Sequence, residues 1–167
     1  SHDMIGLAMS TTPGDSITPT FAKDPVMGTN PIGLAVPAGE EAPVILDIAT
    51  SVVASGKIGI ARALGIDIPE GWQIDEDGNP VTDVSERKRS RGLPLGGTRE
   101  LGSHKGYGLA LMVDVLCGVL SGNGAGFMLS VPRSCSQYFQ AIRIDAFRPA
   151  DEFKREMDEA LRFLREL

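Results

Sequence analysis

"GTNPIGLAVP", residues 28–37, is the stretch on which the fold class turns. It has the outline of a phosphate-binding loop: a glycine-led turn followed by a strand-like apolar run. A P-loop needs a lysine directly after its second glycine to meet the phosphates, and here Gly33 is followed by Leu34. The dinucleotide alternative lies elsewhere in the chain and also fails. Gly122, Gly124 and Gly126 in "SGNGAG" (121–126) close an apolar helix instead of opening one after a strand, so they read as a C-cap and loop.

The neighbours of that stretch point to an α/β order. With 31–37, the runs 4–10 and 42–49 are short, apolar and bounded by Gly, Pro or charge, which predicts buried strands. Residues 50–65 follow as a helix, with Thr50 or Ser51 as N-cap and Gly65 beyond its end. "DEDGNP" (75–80) is a turn between two extended pieces. The most apolar stretch, 106–122, is shorter than the roughly 18 to 20 residues of a membrane span and is interrupted by Asp114, so it reads as a buried helix. Its Gly106, Gly108, Ala110 and Gly118 allow another backbone to come close. A strand is expected over 140–147. An amphipathic helix over 149–167 carries Phe153, Met157, Leu161 and Leu164 on one stripe, with Pro149 at its start and Asp151 and Glu152 in its first turn. The whole predicts a mixed β-sheet with flanking helices in a single domain of 167 residues.

Composition excludes several classes of partner. A hydrophobic fraction of 42% and a charged fraction of 23% describe an ordinary globular chain. A net charge of -6 opposes nonspecific nucleic-acid binding, which needs surplus Lys and Arg. Cys117 and Cys135 are too few and too scattered for a disulfide framework or a zinc site, so a reducing cytoplasm is expected, with no membrane partner.

Asp75, Asp77, Asn79 and Glu86 stand at calcium-loop positions, but Pro80 occupies the place of the required glycine, and a hairpin turn explains the same residues. Asp47 ends an apolar strand just before a helix start, where free N–H groups and the helix dipole favour an anion. Placed there, Asp47 could accept from a ligand hydroxyl or a histidine, or simply cap the helix. His104 and Lys105 in "GSHKGYG" (102–108) sit in the same way at the entrance of the apolar helix, either as ligand contacts or as solvated side chains. The basic run with Arg87, Lys88, Arg89 and Arg91 could meet a 2'-phosphate or form a solvated loop.

Five blocks carry a family resemblance in their order and spacing: "MGTNPIGLAVP", "VILDIATSVVASGKI", "IPEGWQIDEDGNPVTD", "LPLGG" and "SHKGYGLALMVDVLCGVLSG". Together they resemble the malate/L-lactate dehydrogenase family, whose fold is not Rossmann and whose relatives include L-sulfolactate, ureidoglycolate and diketogulonate dehydrogenases or reductases. The resemblance implies a cofactor domain for NAD or NADP, part of an enzyme moving hydride between nicotinamide and a small 2-hydroxy or 2-oxo acid. It implies that Thr29 and Asn30 shape the cleft, that Leu46, Asp47, Ile48, Ala49, Thr50 and Ser51 line the cofactor, and that His104, Lys105 and Gly106 contact it. Asp47 is implied as the catalytic carboxylate that orients a histidine. That histidine belongs to an N-terminal segment which, like a C-terminal closing piece, the resemblance places outside this chain. Full members are homodimers, and the chain by itself is expected to be inactive. The alternative is a noncatalytic domain that keeps the fold and binds a nucleotide or a partner protein.

Overall fold

The computed structural model describes residues 3–12, 15–85, 90–128 and 134–167. In chain order the elements are β1 (Met4–Ser10), β2 (Ile32–Val36), β3 (Val44–Ile48), α1 (Ser55–Leu64), β4 (Gln73–Ile74), β5 (Pro80–Val81), β6 (Arg91–Gly92), α2 (Ser103–Val113), β7 (Gln137–Arg143) and α3 (Ala150–Arg165). The chain divides into two compact units. One comprises Ser1–Met9, Ile32–Ile48 and Tyr138–Leu167; the other comprises Ser10–Pro31 and Ala49–Gln137. Among the described residues, no helix is long and apolar enough to cross a membrane.

The first unit is built on a four-stranded sheet in the order β3-β2-β1-β7. β2 runs antiparallel to both β1 and β3. Register sets which side chains share a face, because residues directly opposite one another point the same way. Leu7, Leu34 and Leu46 therefore share one face, while Gly6, Ala8, Gly33, Ala35, Ile45 and Asp47 share the other. The strands over 4–10, 31–37 and 42–49 are expected to be buried, and the structure differs at Ile45, which is 66% exposed; on β7, for which the sequence carries no burial expectation, Phe139 is 72% exposed. An apolar run tells that a strand can be covered on both faces, not that the chain supplies both covers. The C-terminal strand also sits earlier than expected, ending at Arg143 before a single 3₁₀ turn over Ile144–Ala146.

α3 begins after Pro149, as its sequence predicts, and its Phe153, Met157 and Leu161 are partly buried. Leu164 is not part of that stripe in the structure, being 64% exposed. The firmest tie of α3 to the sheet is polar. Asp158 accepts the backbone N–H groups of Gly39, Glu40 and Glu41 at 3.0, 2.9 and 3.0 Å, in the turn between β2 and β3. Those bonds hold the Asp158 carboxyl below the usual carboxylate range. Gly39 makes the approach possible, since a Cβ there would stand 2.6 Å from Asp158 Oδ2.

The second unit holds the three-stranded sheet β5-β4-β6, and its described residues include two apolar clusters. Ile58 and Ala61 of α1 pack with Ile68 and Val84, with Val53 and Trp72 at the edge. Ile17 and Met27 pack with Ala110 of α2, with Tyr107 and Leu111 beside them. The turn at 75–80 is the expected hairpin: Asp75 Oδ1 accepts the N–H groups of Asp77 and Asn79, and Gly78 takes a φ of 88°. Gly65 closes α1 in the left-handed region, also as expected.

The start of α1 differs from its prediction. Neither Thr50 nor Ser51 caps it; the helix begins at Ser55 after Ala54, which makes no side-chain capping bond. Residues 50–52 are drawn instead into extended pairing, with Val52 N–H bonded to Leu93 O and a bridge between Ser51 and Pro94. The β-branched pair Val52-Val53 suits that conformation better than a first helical turn. The expected buried helix is likewise only half so. α2 passes into a π-helical segment over Asp114–Val119, and the row Val113, Asp114, Cys117 and Gly118 is buried while Val115, Val119 and Leu120 are exposed.

Candidate functional site

The turn over residues 28–31 is fixed by a threonine the sequence reading passed over. Thr12 Oγ1 accepts the Thr29 N–H at 2.8 Å, and Gly28 lies so close that a Cβ there would fall 2.0 Å from the same oxygen. Only glycine fits beneath that contact. Asn30 then adopts a φ of 36°, a conformation asparagine tolerates better than most residues.

Asn30 is 0% exposed, and its side-chain amide is spoken for on both sides. Its Oδ1 accepts the Thr12 N–H at 3.1 Å. Its Nδ2 donates to Ala110 O at 3.0 Å and to Asp114 Oδ2 at 2.9 Å. The other oxygen of Asp114 accepts the Gly126 N–H at 2.8 Å. Asp114, which interrupts the apolar helix in sequence, is therefore the acceptor that ties the turn, the end of α2 and the following loop together. The side chain of Asn30 has no free group to offer a ligand, so its part in any site is to hold the turn.

From Thr29 the frame continues outward. Thr29 O accepts both the backbone N–H and the hydroxyl of Thr50, each at 2.9 Å. Thr50 O in turn accepts the Leu95 N–H at 2.8 Å. Gly106 packs against Leu95 so tightly that a Cβ would stand 2.4 Å from its backbone nitrogen and oxygen. Thus Thr29, Thr50 and Ser51, and through Leu95 also Gly106, are brought together by successive backbone contacts. Gly118 repeats the device against Gly124 O, whereas Gly108 faces open space and has no such role.

His104 and Lys105 are exposed on the first turn of α2. That turn has no acidic residue and no side-chain cap; its Ser103 and Lys105 N–H groups are bonded to Thr98 O at 3.0 Å and Gly102 O at 2.9 Å, so what it presents is the positive end of the helix dipole. The Lys105 stem folds back over the helix start, with Nζ 3.6 Å from where a Cβ of Gly102 would lie. Thr29 also borders a recess of about 270 Å³ with Val53, Ser55, Trp72 and Gln73. An aromatic ring, hydroxyls and an amide in one recess can take a flat polar ring.

Three further candidates, Leu46, Asp47 and Ile48, belong to the first unit. Leu46, Asp47 and Ile48 lie on β3, opposite Leu34, Gly33 and Ile32. Asp47 is exposed and borders a shallow apolar depression of about 610 Å³ floored by Gly6, Ala8, Gly33 and Ala35. It does not stand at a helix N-terminus, because α1 starts only at Ser55. Ala49 is partly buried at the start of the second unit's return. Of the basic run, Arg87, Lys88 and Arg89 lie outside the described residues, as does Glu86. Arg91 is described, and it bonds Lys23 O and pairs with Asp24 at 3.7 Å.

Comparison with known proteins agrees with this architecture. The sequence profile of the malate/L-lactate dehydrogenase family matches residues 1–167. A malate dehydrogenase of Pyrococcus horikoshii is 43% identical over 164 residues, covering 95% of this chain and 45% of the relative. A (2R)-3-sulfolactate dehydrogenase (NADP(+)) of Chromohalobacter salexigens is 37% identical over 127 residues, covering 76% of this chain and 36% of the relative. Among solved structures, the malate dehydrogenase of Entamoeba histolytica superposes with a TM-score of 0.83 at 30% identity, covering 97% of this chain and 48% of that one. The chain spans less than half the length of these relatives.

Proposed function

Since the chain belongs to the malate/L-lactate dehydrogenase family, we propose that it is the nicotinamide-cofactor-binding part of an oxidoreductase that moves hydride between NAD or NADP and a small 2-hydroxy or 2-oxo acid. The observation that carries this reading is the backbone frame from Thr12 through Thr29 and Thr50 to Leu95 and Gly106. Such a frame holds peptide groups in one arrangement before a ligand arrives, which lowers the ordering cost of binding.

In this reading Thr29, Ala49, Thr50 and Ser51 meet the cofactor through peptide and hydroxyl groups, while Asn30 keeps their turn in place. Lys105 and the positive dipole end of α2, with His104 beside them, receive phosphate oxygens, the group that a helix N-terminus and an ammonium both favour. Gly106 serves by its lack of a side chain. The nicotinamide supplies the hydride chemistry itself. Leu46 and Ile48 flank Asp47 on β3, and Asp47 is the carboxylate that orients an imidazole contributed by the whole protein. By the same resemblance the whole protein is proposed as a cytoplasmic homodimer.

Titration of the purified chain with NADH and NADPH tests the reading, with quenching of Trp72, the sole tryptophan, as the signal. Saturable quenching is expected. Lys105→Ala should weaken it roughly tenfold or more, the loss of one charge-assisted contact. No saturable binding of either dinucleotide, or an unchanged affinity in a folded Lys105→Ala variant, contradicts the assignment.

A further inference from the structure

The sheet of the first unit ends in two edge strands, β3 and β7, and they are protected unequally. β3 is five residues long, follows Pro43 and carries Asp47. Proline and charge are the usual means by which an edge strand is kept from pairing with another chain. β7 has seven residues, with no proline and no charge before Arg143 at its end. The Arg143 guanidinium is held by the neighbouring Asp145 carboxylate, at 2.9 and 2.6 Å.

Two bonds fix which backbone groups of β7 are spent on β1. Thr11 N–H donates to Ser136 O at 2.8 Å, and Ile144 N–H donates to Asp3 O at 3.2 Å. The steps from Ser136 to Ile144 and from Thr11 to Asp3 are equal, so β7 runs antiparallel to β1 without a bulge. Bonded pairs alternate along such a ladder. Tyr138, Gln140 and Ile142 therefore turn their peptide groups to β1, while Phe139 and Ala141 turn theirs to the open edge. Among the described residues, nothing bonds to that edge.

The side chains at this edge complement themselves. Phe139 is 72% exposed and, with Ala141, borders the apolar depression floored by Gly6 and Ala8. A closed two-fold interface needs a surface that fits its own copy. Turning a second β7 about an axis at Gln140 sets Phe139 against Ala141 of the copy and Tyr138 against Ile142, with Gln140 meeting Gln140. The ring of Phe139 then rests on the small residues at the rim of the copy. This register pairs the strand over its full length, and each outward N–H meets an outward C=O. Moving the axis by one residue sets Phe139 on Phe139 or Ala141 on Ala141 and leaves a strand end unpaired.

We propose that the β7 edge is an interface between two copies of this chain, joined by antiparallel β7–β7 pairing about Gln140 so that their four-stranded sheets become continuous. It is read from the edge itself and does not depend on the cofactor assignment. The test is sedimentation velocity of the chain from micromolar to near-millimolar concentration, without dinucleotide. A concentration-dependent monomer–dimer equilibrium is expected. Ala141→Pro removes an outward N–H and none that serves β1, and Phe139→Lys sets a charge against the copy. Each should raise the dimer dissociation constant roughly tenfold or more, and Phe139→Lys decides if the proline variant does not fold. Ile45→Lys, on the opposite edge strand, should leave it unchanged. In a Cys135→Ser background with a copper–phenanthroline oxidant, Gln140→Cys should form a linked dimer and Gln137→Cys should not, because only residue 140 meets itself. A chain that stays monomeric throughout, a dimer that survives Phe139→Lys, a dimer lost in Ile45→Lys, or absence of linkage at residue 140 overturns the proposal.

Discussion

Asn30 and Asp114, 84 positions apart in sequence, meet side chain to side chain at 2.9 Å with both residues buried. Asp114 uses its second oxygen on the Gly126 N–H at 2.8 Å, so it is an acceptor on both sides. Asparagine at 114 has only one oxygen, and its amide nitrogen would face a donor. Asp114→Asn should therefore cost about 1 to 3 kcal/mol, the penalty of an unsatisfied buried donor. Urea unfolding reads this directly, and an unchanged midpoint would show that the contact does not constrain the turn.

Gly106 and Gly108 are two residues apart on α2 and should respond to alanine in opposite directions. At Gly106 the new Cβ would stand 2.4 Å from the Leu95 backbone, which bonds Thr50. Gly106→Ala should cost about 1 to 3 kcal/mol or more by overpacking and should lower NADH affinity by moving Thr50. Gly108 meets nothing within 4 Å, so Gly108→Ala should stabilise by about 0.5 to 1 kcal/mol with affinity unchanged. Thermal unfolding and NADH titration of the pair check this, and equal effects would contradict the close approach at Leu95.

These two cases also show what could be read in the sequence. The small residues of the apolar helix announce a close backbone contact, but not which of them makes it, because that depends on Leu95 arriving from a different part of the chain. Gly65 and the Asp75 turn are legible because their causes are local: a left-handed cap and an Asx turn need only neighbouring residues. Thr50 and Ser51 have the composition of an N-cap and are used otherwise, because pairing with Leu93 and Pro94 competes for the same backbone. Asp114 is visible as an anomaly in an apolar run, and its partner Asn30 is visible as a turn residue before proline. Nothing local connects them. The exposure of Ile45 and Phe139 is invisible for a related reason, since a strand's sequence does not reveal what covers it.

Acid should loosen α3 from the sheet turn. The folded-state pKa of Asp158 is lowered, first by the backbone N–H groups of Glu40 and Glu41, so the ionised form stabilises the fold. That contribution is complete above the ordinary carboxylate pKa and is lost as pH falls through the lowered folded value. Glu41 behaves in the same sense, lowered by Arg165 and then Arg162, but it will be more sensitive to salt. Thermal unfolding of the chain and of Asp158→Asn between neutral and acid pH should show the gap between them narrowing as pH falls. A gap that widens or stays constant contradicts the assignment.

The chain by itself should not turn over 2-oxo acids, even where it binds cofactor. Its two histidines are His2 and His104, and His104 is the proposed cofactor contact. A positioned proton donor or acceptor is typically worth about 10² to 10⁴-fold in rate, and none is assigned to this chain. The check is NADH oxidation with pyruvate and oxaloacetate. Robust turnover abolished by His104→Ala would make His104 the catalytic base and remove it from the cofactor contact.

In the proposed assignment the Thr29, Thr50 and α2 frame holds the dinucleotide. Amide NMR of the labelled chain during addition of NADH tests it most directly. The account predicts saturable shifts at Thr29, Thr50, Ser51 and His104 to Gly106, with smaller changes at Trp72. Shifts confined to other residues, or none up to millimolar NADH, on the order of the weakest nucleotide contacts, would contradict it.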